Sequence, residues 1–443
     1  MPAPLLHRSP PGNTYPATAG RIQLCRNGFR TRKPVPSRIK QNSSRGPLIE
    51  LSIEAAHEST STGSFVLNVT MDESQDAVAE IVVSLLERVS ARNIDLWPAL
   101  LGSGLLSAPL PQRYGGDGLG LSEVSAILKE LATDAVEVPI LSTLGFGVLP
   151  LLRAATDDVM ERIFPAVAEG AIVTAALNEP GAPFSSKPST TAITDGTTVR
   201  ISGHKVAVQY ASRASWILVP TDSGLAVVDA KAPGISRVPN ASPTGVPEFT
   251  LRLDNVSIPA EQLLPDGVPP LKRLALASIG SVADGLLHGV LRRTAEQVHA
   301  RARLGLSPIQ FRAASRNIHD IYVASRAVHS ITLSANRALA QEDDSAEHRK
   351  RVDTALETLA YRVTTALPEA MQKCYRLHGI GSEHTGPLYR YYSQAKAIAR
   401  IIGGSPFRLE CSCAERAAPR PHDDGAAPSP ADFVSAATSV ATI

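Results

Sequence analysis

The sequence contains few cysteines, and they are widely spaced. There are four in 443 residues, namely Cys25, Cys374, Cys411 and Cys413. A disulfide framework needs more cysteines at regular spacing, so the class of secreted disulfide-stabilised domains is excluded. Cys411 and Cys413 have no second cysteine or histidine pair at the spacing of a zinc site, so we expect no bound metal. A reducing compartment fits this pattern, and we predict a cytoplasmic protein.

Strong charge of one sign and long apolar runs are also missing. The formal net charge is +2, and only 5% of the residues are aromatic. After residue 68 there is no basic helix and no basic patch with aromatic residues, so no nucleic-acid partner is predicted. The stretch closest to a membrane span, Val138–Leu152, is interrupted by prolines and glycines. It lacks the run of about 18 apolar residues that indicates a membrane span, so none is predicted.

Both ends of the chain have the composition of disordered segments. Residues 1–68 are rich in proline, serine, glycine and arginine without a sustained apolar period, which predicts a disordered basic leader. Its prolines speak against the amphipathic helix of an organelle-targeting peptide, and Met71 would be a natural later start of translation. The composition of residues 405–443 likewise predicts a disordered tail.

The region between these ends changes its periodicity twice. Residues 69–169 repeat apolar positions at helical spacing, which predicts an N-terminal helical domain. Residues 170–265 consist of short alternating or β-branched runs between turn residues, which indicates a mostly antiparallel β-domain. Residues 266–404 contain long amphipathic helices in succession, as in a helical bundle. The predicted fold class is therefore α+β, with the β-domain between two helical domains.

The region from about residue 72 to residue 404 carries a series of motifs in a fixed order. They are PQRYGGDGLGLSE at 111–123, ALNEPGA at 176–182, SGHKVAVQYASRASWILV at 202–219, LRLDNVSIPAEQLL at 251–264, RARLG from Arg301, and LHGIGSEHTGPLYRYYSQAKA at 377–397. One EPG alone would be weak evidence, but the ordered set resembles the acyl-CoA dehydrogenase family. The resemblance implies that family's fold, with an N-terminal helical domain, a central antiparallel β-domain and a C-terminal four-helix bundle.

The resemblance also implies a reaction, a cofactor and an assembly. Family members dehydrogenate an acyl-CoA thioester in lipid or steroid side-chain breakdown, where a carboxylate takes the α-proton and FAD takes the β-hydride. Hydrogen bonds to the thioester carbonyl stabilise the enolate that develops. The expected partners are an acyl-CoA substrate and further subunits, including a homologous one. The assembly would be a homo- or hetero-oligomer built as a dimer of dimers, with each FAD between two subunits.

The residues that match the family's FAD contacts fall into two groups. One group meets the flavin ring, and the other meets the phosphates and the adenine part. The resemblance assigns Leu177, Asn178, Gly181 and Gln209 to the first group, and Arg301, Arg303, Arg376, Gly379 and Gly381 to the second. Arg301 matches the arginine that contacts the FAD pyrophosphate across the dimer interface, and a guanidinium fork suits paired phosphate oxygens.

Several positions depart from the family pattern on the flavin side. Pro183 and Phe184 stand where the family has a glycine and a serine that commonly touch flavin or CoA phosphate. Ala207 stands where an aromatic residue usually covers the flavin, so stacking area is lost. These departures weaken the expected binding of FAD and acyl-CoA to this chain.

No acidic residue stands where the family places its catalytic base. The usual positions correspond to Ala275, Val282 and Ile402, and the remaining weak candidates are Glu383 and Asp266. Two hypotheses follow, a dehydrogenase with its base in an unusual place or a base-less subunit that completes a heteromeric enzyme. A flavin-free scaffold or regulatory homologue is the alternative.

Overall fold

An N-terminal helical domain opens the described part of the chain. The computed structural model describes residues 73–417 except for short segments at 185–186, 243–245, 304–306, 342, 344 and 379–386. The first helices are α1 (Glu73–Arg92), α2 (Leu96–Gly102), α3 (Leu121–Thr133), α4 (Leu149–Ala154) and α5 (Asp157–Ala168).

The wall of this domain that faces the β-domain contains an unusual helical segment. Residues Leu141–Val148 are π-helical and run directly into α4. A π-helical segment widens the turn and is frequent at functional sites, because it changes which side chains face a cavity. Ser142 and Thr143 of this segment are almost fully buried.

The β-domain consists of two four-stranded sheets. The strands are β1 (Val173–Ala175), β2 (Thr191–Asp195), β3 (Thr198–Gln209), β4 (Trp216–Thr221), β5 (Gly224–Asp229), β6 (Ile235–Asn240), β7 (Glu248–Pro259) and β8 (Leu263–Leu264). Their orders are β1-β4-β5-β8 and β2-β3-β7-β6. Only the β1–β4 pair among these strands is parallel, so the predicted antiparallel character is right with one exception.

Burial alternates along β3, which shows how this strand contributes to the core that the two sheets share. Val199 and Ile201 are buried, whereas Thr198 and Arg200 between and beside them are exposed. Successive side chains of a strand point to opposite faces, so one face of β3 packs inward and the other meets solvent.

Long helices form the C-terminal domain. They are α6 (Val268–Arg303), α7 (Pro308–Ala340), α8 (Ala346–His378), α9 (Pro387–Ile401) and a further helix, α10 (Gly404–Ala417). Helices α6 to α9 give the expected four-helix bundle, and the predicted α+β architecture is confirmed. By length and composition α6 could cross a membrane, but 83% of its most apolar window is buried inside the protein, as in the core helix of a bundle.

Glycines let α6 pack directly on the backbone of α3. A β-carbon added at Gly285 would lie 2.1 Å from the carbonyl oxygen of Lys129. One added at Gly289 would lie 1.9 Å from the carbonyl oxygen of Thr133. This close crossing fixes the rotation of α6 about its own axis. Different side chains of α6 therefore face the cavities on its two sides.

Helix α10 corrects one prediction from the sequence. The prediction of a disordered tail from residue 405 is wrong for residues 405–417, which are helical. The composition of this stretch gave no strong apolar period, but Arg408 is 1% exposed and finds buried partners. Residues 418–443 of the predicted tail and residues 1–68 of the predicted leader lie outside the described residues.

Candidate active site

The residues predicted to meet the flavin ring come together around one small cavity. Leu177, Asn178, Ala207 and Gln209 line it, together with Phe146, Thr174, Ala175 and Ile401. The cavity holds about 10 Å³. That volume is about the space of one water molecule and is far too small for a three-ring flavin.

Two hydrogen-bond acceptors at this cavity are engaged within the chain. Asn178 is 4% exposed, and its side-chain oxygen accepts a hydrogen bond of 3.0 Å from the backbone N–H of Phe184. The backbone oxygen of Gln209 accepts from the hydroxyl of Thr174 at 2.8 Å. The amide acceptor expected at the flavin edge is therefore engaged by one intrachain hydrogen bond. Gly181 follows in the left-handed region, with φ of 72°, as the turn after Pro180 requires.

Glu179, in the same loop, has a structural role. Its carboxylate accepts from the backbone and hydroxyl groups of Ser189 and Thr190 at 2.6 to 3.0 Å and from Lys205 Nζ at 2.7 Å. Lys205 is 0% exposed and also donates to the carbonyl of Pro220 at 2.7 Å. Burial alone would raise the pKa of Glu179, but the hydrogen bonds from Lys205, Thr190 and Ser189 outweigh it and lower the pKa to about 2.

A second, apolar cavity of about 80 Å³ adjoins the ring residues. Gln209 and Val282 line it, so one of the expected base positions faces this space with an aliphatic side chain. The hydroxyl of Ser142 also lines it, is 1% exposed and has no hydrogen-bond partner within the described residues. Most of its other walls come from α3, from the start of the π-helical segment and from α9, namely Leu128, Leu131, Ala132, Ile140, Leu141, Gln394, Ala397, Ile398 and Ile401, and the β-domain adds Tyr210 and Val246.

The structure adds an acid that the sequence did not single out. Among the described residues that line the two cavities, Glu137 is the only acid. Partial burial raises the pKa of its carboxyl, and Arg390 acts in the opposite direction. The residue gave no motif signal. In the sequence, the one indication of Glu137 is its position between the end of α3 and the apolar stretch that starts at Val138.

None of the expected base positions carries an acid in the folded chain. Ala275 and Ile402 are fully buried in the core, and Val282 faces the apolar cavity. Asp266 is exposed in the turn before α6. Glu383 lies outside the described residues. Proton abstraction from a substrate in this cavity therefore has no carboxylate at the usual places.

Asp284, two residues after Val282, does not line the apolar cavity. It is 4% exposed, and its Oδ2 lies 2.8 Å from His329 Nδ1 and 3.6 Å from Lys129 Nζ. Two residues along a helix turn the side chain by about 200°, so Asp284 points to the opposite side of α6. It is held there by its own partners and cannot act as the base.

Arg301, in the last turn of α6, contacts the C-terminal end of α8, immediately before the predicted glycine turn. Its guanidinium donates to the carbonyl of Leu377 at 2.9 Å and to the carbonyl of His378. A cation at a helix C-terminus satisfies the last carbonyls and interacts well with the helix dipole. The structure thus brings Arg301 to the beginning of the turn, whereas Gly379 and Gly381 themselves lie outside the described residues.

The two remaining basic candidates lie on the surface. Arg303 and Arg376 are both exposed.

Taken together, the residues predicted to bind FAD fit the cofactor only in part. On the ring side, the cavity of the single chain is small and Asn178 is engaged by Phe184, so these residues do not hold a flavin ring as they stand. The side of Arg301 remains compatible with a phosphate, because the guanidinium is only partly buried.

Sequence comparison identifies relatives over most of the chain. The N-terminal domain family of acyl-CoA dehydrogenases matches residues 70–171. Acyl-CoA dehydrogenase FadE28 of Mycobacterium tuberculosis is 38% identical over 338 residues, which cover 76% of this chain and 95% of that protein. Acyl-CoA dehydrogenase FadE27 of the same organism is 27% identical and covers 71% of this chain and 86% of its own length.

Solved structures have the same fold. The ChsE4-ChsE5 complex from Mycobacterium tuberculosis superposes with a TM-score of 0.70 at 23% identity, over 80% of this chain and 100% of that chain. A variant of the Tcur3481-Tcur3483 steroid ACAD gives a TM-score of 0.68 at 28% identity, over 78% of this chain and 98% of that chain. The chain belongs to the acyl-CoA dehydrogenase family of flavin-dependent oxidoreductases.

Proposed function

We propose that this chain is the base-less subunit of a heteromeric, FAD-dependent acyl-CoA dehydrogenase. The observation that carries the proposal is the apolar cavity, where Val282 occupies a base position and no carboxylate replaces it at Ala275 or Ile402. An α-proton of a thioester is too weakly acidic to leave without a positioned base. A chain with this cavity therefore depends on a partner for the chemical step.

The contribution of this chain would be a phosphate contact at the subunit interface. The guanidinium of Arg301, from the last turn of α6, is partly exposed beside the end of α8, and a planar fork can bind two phosphate oxygens at once. The ring cavity of about 10 Å³ in the single chain offers little space for a flavin ring. The FAD would therefore sit in the partner's ring pocket and reach across to Arg301.

The partner would be a homologous subunit, and the substrate an acyl-CoA thioester from lipid or steroid side-chain breakdown. The Tcur3481-Tcur3483 steroid ACAD, which is 28% identical to this chain, is named for two different chains. That name supports a heteromer of this kind. The few scattered cysteines keep the cytoplasm as the proposed compartment.

One observation favours a second candidate function, in which this chain carries its own base. Glu137 lines the cavity that Val282 faces, and burial raises the pKa of its carboxyl. A base with a raised pKa holds a proton better after abstracting it. Glu137 is, however, exposed at the edge of the cavity, and the ring cavity beside it holds only about 10 Å³.

Replacing Glu137 by glutamine in the assembled enzyme distinguishes the two functions. Under the partner-subunit proposal, kcat for dye reduction with an acyl-CoA is expected to stay unchanged, because the base belongs to the other subunit. A general base contributes roughly 10²–10⁴-fold to rate, so a loss of that size in Glu137→Gln would instead assign the base to this chain. The exposed Glu169 provides a matched control as Glu169→Gln.

A further inference from the structure

A buried arginine fastens the last helix to the rest of the chain. Arg408 of α10 is 1% exposed. Its Nε donates to the carbonyl of Ile402 at 2.7 Å, and its Nη1 donates to both carboxylate oxygens of Glu357 on α8 at 3.0 and 3.1 Å. Because a buried charge is costly unless it is paired and hydrogen-bonded, the position of α10 depends on this set of partners.

The guanidinium of Arg408 also packs against the loop after Gly181, which borders the ring cavity. It lies 5.4 Å from the ring centroid of Phe184 and 5.4 Å from that of Phe407. A cation over an aromatic face is attracted by the ring electrons, most strongly where water is excluded. Phe184 is itself 3% exposed. Helix α10 and the loop after Gly181 are therefore joined through one buried cation.

The backbone of Phe184 is held in an unfavourable conformation. Its φ is 53°, in the left-handed region that residues with a side chain rarely adopt. In that conformation its N–H reaches Asn178 Oδ1 at 3.0 Å. The ring contact with Arg408 thus supports a conformation whose N–H occupies the acceptor at the ring cavity.

The junction of α9 and α10 also packs against the loop after Gly181, at Pro183. Gly403 has a φ of 86°, and a β-carbon added there would lie 2.5 Å from Cγ of Pro183 and 2.7 Å from the Phe407 ring. Only a glycine permits this approach. Pro183 and Phe184 are thus both covered by the residues that begin α10.

We infer that Arg408, Glu357 and Phe184 form an intrachain lock that couples the position of α10 to the conformation of the loop at the ring cavity. The inference rests on the proposed function, in which this chain binds no flavin ring of its own. Pro183 and Phe184 stand where the family pattern has a glycine and a serine. The carboxylate of Glu357 balances the charge of Arg408 inside the chain. The lock keeps α10 in place and holds Phe184 in the conformation whose N–H donates to Asn178.

Hydrogen–deuterium exchange of the isolated full-length chain tests the lock. Arg408→Gln and Phe184→Gly are each expected to raise exchange in both α10 and residues 176–184, because the two segments are held by the same contacts. Phe184→Gly removes the ring while relieving the left-handed backbone, so a destabilising outcome isolates the ring contact. Arg153→Gln, at an exposed arginine of α4, is the charge-matched control and should change neither segment.

If Arg408→Gln or Phe184→Gly does not fold, Glu357→Gln is measured instead, since it keeps the shape and removes only the charge. Increased exchange in one of the two segments only, or an equal increase along the whole chain, would overturn the lock. The measurement needs no partner and no flavin. Its failure would leave the partner-subunit proposal standing, and failure of co-purification with a partner would leave the lock standing.

Discussion

Replacing Glu179 by glutamine is expected to lower the free energy of unfolding by about 3–5 kcal/mol, because removing one partner of a buried ion pair leaves the other charge uncompensated. The charge left behind is the ammonium of Lys205, which is 0% exposed and would keep only neutral acceptors, namely the carbonyl of Pro220 and the amide oxygen of the glutamine. Chemical denaturation of the isolated chain measures the difference. Exposed Glu261, in the same domain, gives the control Glu261→Gln, which should leave stability unchanged.

The same substitution should change the dependence of stability on pH. The carboxyl of Glu179 has a pKa of about 2 in the folded chain and 4.5 as its ordinary value. A lowered folded-state pKa contributes stability that is fully present above the ordinary value and is lost as the pH falls through the folded-state value. The difference between the natural chain and Glu179→Gln should therefore shrink between about pH 4.5 and pH 2. A difference that stays constant over that range would contradict the assignment.

Replacing Arg301 by glutamine should weaken FAD retention by the assembled enzyme about 10- to 100-fold, since a hydrogen-bonded charged contact contributes about 1.5–3 kcal/mol. Glutamine keeps a donor but loses the charge and the fork. Lysine keeps the charge alone, so Arg301→Lys should be intermediate. FAD remaining after repeated ultrafiltration of the complex measures retention, and Arg153→Gln again serves as the charge-matched control.

The isolated chain separates this role from a structural one. Arg301 also donates to the carbonyls of Leu377 and His378, but it is only partly buried there, so water can replace it. The stability of the isolated Arg301→Gln chain should therefore fall little. If stability collapses, or if FAD retention equals that of the Arg153→Gln control, Arg301 is not the phosphate contact that we propose.

The fold could be predicted because the spacing of apolar residues along the chain differs between its helices and its strands. The change from helical spacing to alternation near β1, and back to helical spacing before α6, gave the order of the domains. Helix α10 was missed because its position depends on one buried contact set around Arg408, and a charged residue carries no apolar period. Propensity and composition cannot report a helix that tertiary contacts hold in place.

The candidate site could be predicted only as a list of positions. The motifs identified Leu177, Asn178 and Gln209 as neighbours, and the structure places them around one cavity. The engagement of Asn178 was not predictable, because it depends on the left-handed backbone of Phe184 and on a hydrogen bond between residues 178 and 184. The position of Glu137 at the apolar cavity was not predictable either, because it depends on how α3 and α6 pack together.

The flavin content of the purified protein tests the central claim most directly. The chain would be purified alone and after co-expression with a homologous subunit, and FAD absorbance would be compared with polypeptide concentration. We predict a colourless chain on its own and a single FAD for each pair of unlike subunits in the complex. A chain that is yellow on its own and reduces a dye with an acyl-CoA, or a complex with an FAD in every subunit, would contradict the account.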